Sequence, residues 1–115
     1  MTQLHQLRIY EIFEHNKQAF HDRFRDHAMR IMRSHGFEFV MLWETGTDER
    51  LEFAYLLAWP DREVMKTAWD AFMEDQEWND IKHVTGAEHG TMVGEIWERV
   101  LTATDYSPNP RWDQQ

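Results

Sequence analysis

The stretch NKQAFHDRFRDHAMRIMRSHG, residues Asn16 to Gly36, decides the fold because it predicts one long amphipathic helix with a marked start and stop. On a helical wheel of about 100° per residue, a stripe covering roughly a quarter of the circumference is apolar apart from two imidazoles. It consists of Phe20, Phe24, His27, Ile31 and His35, with Ala28 at its edge. Asn16 is expected to cap the first turn with its side chain, and Gly36 to end the helix in the left-handed conformation. Such a stripe needs a second layer, so the helix predicts a sheet.

Four segments have the short, β-rich pattern of strands. They are Leu4 to Phe13, Phe37 to Glu44, Glu52 to Trp59 and Thr91 to Leu101. The turn-forming residues 45–50, TGTDER, predict a hairpin between the second and third strands. After Pro60, Asp61 is expected to cap a second long helix over Arg62 to Glu74. A further short helix is predicted over Gln76 to Val84, followed by a loop at 85–90.

The order strand, helix, strand, strand, helix, strand predicts an α+β fold of the ferredoxin-like type, the split βαβ arrangement βαββαβ. Its four-stranded antiparallel sheet would have helices on one face. Residues 1–104 would form this domain, and residues 105–115 an extended or disordered C-terminal tail. The middle strands are apolar on both faces, as Phe39 and Trp43 alternate with Val40 and Leu42. The helix-free face would then be exposed and apolar, so we predict a homodimer through it.

Composition excludes several classes of protein. The 115 residues carry a net charge of −9 and no cysteine, which disfavours nucleic acid and anionic membranes as partners and excludes disulfides and thiolate metal sites. The longest purely apolar run, Phe53 to Trp59, is far too short to span a membrane, and the first ten residues lack the apolar core of a secretory signal. A soluble, cytoplasmic protein is expected.

Several short motifs in order resemble the NIPSNAP family. They are QLRIYEIF with Leu7, Arg8 and Tyr10, the HGF turn at His35 to Phe37 before MLWE, AWDAFMEDQEW at Ala68 to Trp78, and YSP in the tail. The resemblance covers nearly the whole chain. It implies a dimeric α+β barrel, in which two ferredoxin-like sheets close on one another. The wider superfamily includes cofactor-free monooxygenases, haem-degrading enzymes, aldoxime dehydratases, isomerases and cyclases, so a small-molecule pocket is implied without a chosen reaction.

Three residues are candidates for catalysis. His27 places an imidazole in the middle of an apolar stripe, where it is either a hydrogen-bonded core histidine or the wall of a pocket and a general acid or base. Arg8 and Tyr10 lie two residues apart on one strand face and could bind a carboxylate or enolate oxygen. The alternative is that Arg8 forms a cross-strand ion pair with Glu95 or Glu98 while Tyr10 packs.

The candidate catalytic residues do not form one site if Leu7 and Ile9 face the helices. Arg8 and Tyr10 would then lie on the opposite sheet face from His27. His35, beside Gly36 at a helix end, is expected to serve the helix terminus instead of catalysis.

Aromatic residues are the candidates for substrate binding. Trp43, Tyr55, Trp59 and Trp69 could line a flat pocket, although such residues more often form the core. No metal or other cofactor is expected. No H-E-x-x-H motif occurs, and the nearest groups, around Asp22 and Asp26 or around His83 and His89, lack a fixed geometry.

Three functions remain open. The first is a small dimeric protein that binds a partly apolar metabolite and carries out cofactor-independent acid–base chemistry of the isomerase, cyclase or dehydratase type. The second is a non-catalytic binding or interaction module. The third is a haem-binding or monooxygenase-type barrel.

Overall fold

The computed structural model describes residues 4–108. Its elements, in chain order, are β1 (Leu4–Ile12), a 3₁₀ turn (Glu14–Asn16), α1 (Lys17–Arg23), a π-helical turn (Phe24–Ala28), α2 (Met29–Ser34), β2 (Glu38–Gly46), β3 (Leu51–Trp59), α3 (Arg62–Met73), α4 (Gln76–His89) and β4 (Val93–Thr102). The strands form one antiparallel sheet in the order β2-β3-β1-β4. This order confirms the predicted ferredoxin-like fold. The homodimer stays a prediction.

The helix that was expected from Asn16 to Gly36 is interrupted in its middle by the π-helical turn. A π turn advances each residue by a smaller angle than an α turn, so the residues that follow it are rotated about the axis relative to a regular wheel. Ala28 therefore moves into the core with 1% of its surface exposed, while His27 is exposed. The prediction that His27 lies in the buried stripe is wrong for this reason.

The two ends of this helical segment differ from one another. Asn16 makes no capping hydrogen bond, and its Nδ2 instead donates to the backbone oxygens of His89 and Thr91, at 2.9 and 3.0 Å, so the predicted cap is wrong. At the other end Gly36 has φ of 95°, the left-handed conformation predicted for it. The N–H groups of Gly36 and Phe37 donate to the oxygens of Arg33 and Met32, at 3.0 and 3.1 Å, which satisfies two carbonyls at the helix end.

The core lies between the helices and one face of the sheet. Phe24 meets Phe53 and Tyr55 with ring centroids 4.8 and 5.2 Å apart, and Phe37 meets Trp59 at 4.9 Å, all in edge-on or tilted geometry. These contacts bury large apolar areas and add the favourable edge-to-face alignment of aromatic rings. The packed rings fix the helices over β1 and β3.

The C-terminal half departs from the prediction at one place. Thr85 to His89, expected as a loop, are the last turns of α4, which therefore runs five residues beyond the predicted short helix. Asp61 and Asp75 cap α3 and α4 by accepting from the N–H groups of Val64 and Trp78. Of the predicted tail, residues 105–108 are exposed, and residues 109–115 lie outside the described residues.

Candidate functional site

Arg8 and Tyr10 project from β1 toward the helices. The Tyr10 ring meets Phe20 edge-on with centroids 6.4 Å apart, and the Arg8 guanidinium lies 4.3 Å from the Trp69 ring centroid. Because side chains alternate along a strand, Leu7 and Ile9 face the helix-free side. The alternative in which Leu7 and Ile9 face the helices is therefore wrong.

A chain of hydrogen bonds joins Arg8 to two phenols. Arg8 Nη2 donates to the Tyr10 hydroxyl oxygen at 3.2 Å, and the hydroxyls of Tyr10 and Tyr55 lie 2.6 Å apart. Arg8 stands opposite Tyr55 on β3 and opposite Glu98 on β4, so antiparallel register brings these side chains together. We call Arg8, Tyr10 and Tyr55 the cation–phenol cluster.

Glu98 neutralises the cluster from its open side. Arg8 Nη1 donates to Glu98 Oε1 at 2.7 Å, with the Arg8 side chain 16% exposed and that of Glu98 42% exposed. This confirms the alternative in which Arg8 forms a cross-strand ion pair. The Arg8 Nε is buried and has no hydrogen-bond partner among the described residues, so the guanidinium retains unused donor capacity.

Burial and neighbouring charges set the protonation states of the cluster. Burial lowers the pKa of Arg8, but the oxygens of Tyr10 and Tyr55 raise it by more, so the net shift is upward and the guanidinium stays charged. Burial, with a smaller contribution from Tyr10, raises the pKa of Tyr55 well above its ordinary value, although Arg8 acts against it. Tyr55 is therefore a neutral phenol at physiological pH.

Gln6 fixes the aromatic wall beside the cluster. Its Oε1 accepts from the indole N–H groups of Trp59 and Trp69, at 2.9 and 2.8 Å, and the residue is only 1% exposed. The bond from the Trp69 N–H orients that indole against the Arg8 guanidinium. Sequence reasoning missed Gln6, although its place in the alternation Leu4, Gln6, Arg8, Tyr10 was a usable signal.

The predicted substrate-binding aromatics do not all share one face. Tyr55 and Trp59 are 0% exposed and lie with Trp69 on the helix-covered face. Trp43 pairs with Ala54 on the helix-free face and is 41% exposed. Within this chain, the sheet separates Trp43 from the other three. Their roles in binding remain predictions.

The two histidines of the first helical segment lie apart from the cluster. His27 lines a surface groove between α1 and α4. Its catalytic role remains a prediction, and it would concern this groove and not the cluster. The His35 Nε2 lies 2.8 Å from Asp75 Oδ2, which links the end of α2 to the start of α4. The bond to His35 makes the largest contribution to lowering the pKa of Asp75 below its ordinary value, and the hydrogen bond from the Trp78 N–H makes the next largest.

Residues 4–108 contain neither a metal-binding cluster of side chains nor a helix able to span a membrane. No group of three or more histidine, aspartate and glutamate side chains is arranged there to hold a metal ion. In the same part of the chain, none of the helices has the length and apolar character needed to cross a membrane.

The fold and the cluster define a ferredoxin-like α+β domain with a charged arginine and two phenols between its sheet and helices. The chain belongs to the NIPSNAP family, whose family model matches residues 5–108. This confirms the resemblance found in the sequence. Comparison with curated proteins gave no significant match.

Solved structures share the fold at low sequence identity. A NIPSNAP family protein from Agrobacterium tumefaciens is 17% identical with a TM-score of 0.77, covering 92% of this chain and 97% of its own. A NIPSNAP-like domain protein from Burkholderia xenovorans is 15% identical with a TM-score of 0.76, covering 93% and 90%. A cofactor-independent oxygenase from Streptomyces nogalater is 10% identical with a TM-score of 0.57, covering 93% and 98%.

Proposed function

We propose that this protein binds a small, partly apolar metabolite through an anionic oxygen at the cation–phenol cluster. The observation that carries the proposal is the Arg8 guanidinium, held 4.3 Å from the Trp69 ring and hydrogen-bonded to Tyr10, with an unpartnered Nε. A charged donor next to aromatic walls suits a ligand that has both an oxyanion and an apolar body. A planar aromatic carboxylate is the simplest such ligand.

Glu98 would be the group that the ligand displaces. Its carboxylate already makes the contact with Arg8 Nη1 that a ligand carboxylate would make, and it is 42% exposed, so it can turn toward solvent. A ligand carboxylate would restore the same charge-assisted contact with Arg8, so the exchange of one carboxylate for another costs little. Glu98 thereby keeps Arg8 neutralised in the absence of ligand.

Acid–base chemistry at this site would be centred on Tyr10. Its hydroxyl could donate a proton to an enolate or phenolate oxygen of the ligand, while Arg8 and the neutral Tyr55 phenol stabilise the tyrosinate that results. This step needs no cofactor. His27 has no part in it, because it lines a groove on the helical layer.

The dimer is part of the proposal. The helix-free face carries Met41 and Trp43, which are 42% and 41% exposed, and a shallow depression of about 230 Å³ lined by Leu7, Ile9 and Trp97. A second copy of the chain placed sheet to sheet would cover these apolar groups. The family's barrel architecture supports the same arrangement.

Two alternatives remain as competing functions. A non-catalytic member would bind the ligand at Arg8 and turn nothing over. An oxygenase of the kind named for the Streptomyces nogalater structure would use the same anion site for a phenolate substrate. The haem-binding variant fits less well, because the Nε2 of His35 is already bonded to Asp75 at 2.8 Å. A haemin titration of the wild type, His27→Ala and His35→Ala would detect it by a Soret shift.

Titration with 2-naphthoate, followed by calorimetry, tests the binding step. We expect saturable binding that Arg8→Gln weakens at least about ten-fold, since a charged hydrogen bond is lost. Arg33→Gln is the matched control, because this exposed arginine packs over Phe39 and lies outside the cluster. Equal losses in the two variants, or no binding by the wild type, would contradict the proposal.

The proposed role of Glu98 has its own test. Glu98→Gln should tighten 2-naphthoate binding about three- to ten-fold, because the competing carboxylate is gone, and leave the neutral 2-naphthalenemethanol unaffected. Glu95→Gln removes the same charge from β4. Because Glu95 pairs with Arg50, this substitution should change the affinity for 2-naphthoate little. A weaker affinity in Glu98→Gln would rule out displacement.

The catalytic half is tested by α-proton exchange. In D₂O, the protein should accelerate deuterium incorporation into 2-tetralone, measured by NMR. Solvent deuteroxide would remove the α-proton, Arg8 and Tyr10 would stabilise the enolate oxygen, and D₂O would return a deuteron to the carbon. Tyr10→Phe should return the rate to that of buffer. If wild type and buffer exchange at the same rate while 2-naphthoate binds, the non-catalytic alternative is favoured.

A further inference from the structure

A groove of about 450 Å³ lies between the first helical segment and α4, and its lining includes none of the cluster's residues. Its walls are formed mainly by residues of α1, the π-helical turn and the last turn of α4. Its polar lining includes His15, Asn16, Arg23, His27, Thr85 and His89. His27, which the sequence singled out, is thus part of a polar groove.

Arg23 brings a positive charge without a counter-ion into this groove. Its Nη1 donates to the Thr85 hydroxyl at 3.1 Å, and its guanidinium lies 5.4 Å from the Trp78 ring centroid. Among residues 4–108, no carboxylate lies within ion-pair distance of Arg23, whereas Arg8 and Arg30 each pair with one carboxylate and Arg25 and Arg50 each pair with two. Burial lowers the pKa of Arg23, with Tyr10 acting in the opposite direction, which is the mark of an uncompensated cation.

Asn16 supplies a second unsatisfied group. The residue is only 8% exposed, and its Nδ2 is committed to two backbone oxygens, which fixes the orientation of the amide. Its Oδ1 is buried and has no hydrogen-bond partner within the described residues. A buried acceptor without a donor is costly, so a donor on a ligand in the groove would be favourable.

The groove also contains two carboxylates, which share one arginine, keep one net negative charge between them and make no ion pair with Arg23. These carboxylates, Asp22 and Asp26, are paired with Arg25 at 3.2 and 2.8 Å. The imidazoles of His15, His27 and His89 are exposed along its walls and can donate hydrogen bonds. The π-helical turn places Asp26 and His27 beside the groove, and such turns occur frequently at functional sites.

We propose that this groove binds a small hydroxy acid. The oxyanion would contact Arg23 and the surrounding imidazoles, and the hydroxyl would donate to Asn16 Oδ1. This site uses none of the residues of the cation–phenol cluster, although Tyr10 of that cluster lies close enough to act on the pKa of Arg23. A ligand there would join α1 to α4, since the groove's walls come from both.

NMR titration with glycerate, followed at the Arg23 Nε–H and the Asn16 side-chain amide, tests the site. We expect saturable shifts at both groups at millimolar glycerate, at least about five-fold weaker shifts with propionate, which lacks the hydroxyl, and none with glycerol, which lacks the anion. Inorganic phosphate should compete with glycerate. Absence of saturable shifts at Arg23 and Asn16 would overturn the proposal without bearing on 2-naphthoate binding.

Variants separate a built site from general attraction of anions. Arg23→Gln should weaken glycerate binding at least about ten-fold, and Arg23→Lys, which keeps the charge but loses the planar fork, should weaken it less. His27→Ala should give a loss of about two- to five-fold. Arg33→Gln, on the same helical segment but outside the groove, should give less than a two-fold loss, and a loss equal to that of Arg23→Gln would overturn the proposal.

Discussion

The two faces of the sheet differ in how far their aromatic side chains are exposed to solvent. On the helix-covered face Tyr55 and Trp59 are 0% exposed, and every polar group on their rings has a fixed partner. On the helix-free face Trp43 keeps 41% of its surface exposed and Met41 keeps 42%. The covered face is complete within one chain, whereas the free face is the one on which we propose that a second copy packs. Stability should therefore depend on the first face and association on the second.

Phe20→Ala tests the covered face with the largest expected effect. Phe20 is 1% exposed and packs against Phe53 and Phe24 with centroids 5.1 and 6.0 Å apart. Removing a buried ring leaves a cavity, so the free energy of unfolding should fall by about 3–5 kcal/mol. Urea denaturation measures this loss. A change below about 1 kcal/mol would mean that this face is not the core.

Trp43→Glu tests the free face. The substitution places a charge on the proposed dimer interface, so it should raise the dimer dissociation constant at least about 100-fold in light scattering or sedimentation. The monomer should unfold within about 0.5 kcal/mol of the wild-type monomer, because Trp43 makes no core contact. A wild-type protein that is monomeric at micromolar concentration would contradict the proposed dimer through the helix-free face.

Gln6→Leu removes the acceptor that orients two indoles on the covered face. One buried and one partly buried N–H group would lose their partner, so the free energy of unfolding should fall by about 1–3 kcal/mol. The control Gln18→Leu, at an exposed position hydrogen-bonded to Asp22, should change it by about 0.5 kcal/mol or less. Binding of 2-naphthoate should also weaken in Gln6→Leu, because Trp69 is no longer fixed against Arg8.

The burial of Tyr55 leads us to expect that the folded protein loses stability in alkali. Burial raises the pKa of Tyr55 in the folded state, so the folded protein holds this proton longer than the unfolded chain does. Stability is unaffected below pH about 10, the ordinary value for tyrosine, and falls as the pH rises above it. In a titration of tyrosinate absorbance, one of the three tyrosines should ionise only on unfolding. Tyr55→Phe should remove that step, and ordinary ionisation of all three would refute the assignment.

Much of the fold, but less of the site, could be predicted from the sequence. Strand alternation placed Arg8 and Tyr10 on one face, yet both faces of β1 are apolar, so the pattern could not indicate which face the helices cover. The register that brings Tyr55 and Glu98 to Arg8 depends on strand order and a bulge near Tyr10, which are long-range properties. His27 was misplaced because a regular wheel contains no π turn.

The proposed function depends on Arg8 binding a ligand oxyanion in exchange for Glu98. A crystal structure of the protein with bound 2-naphthoate tests it most directly. We predict the ligand carboxylate within hydrogen-bond distance of the Arg8 guanidinium, its rings against Trp69, and Glu98 turned away from Arg8. A ligand bound elsewhere, with the Arg8–Glu98 ion pair intact, would contradict the proposed displacement of Glu98.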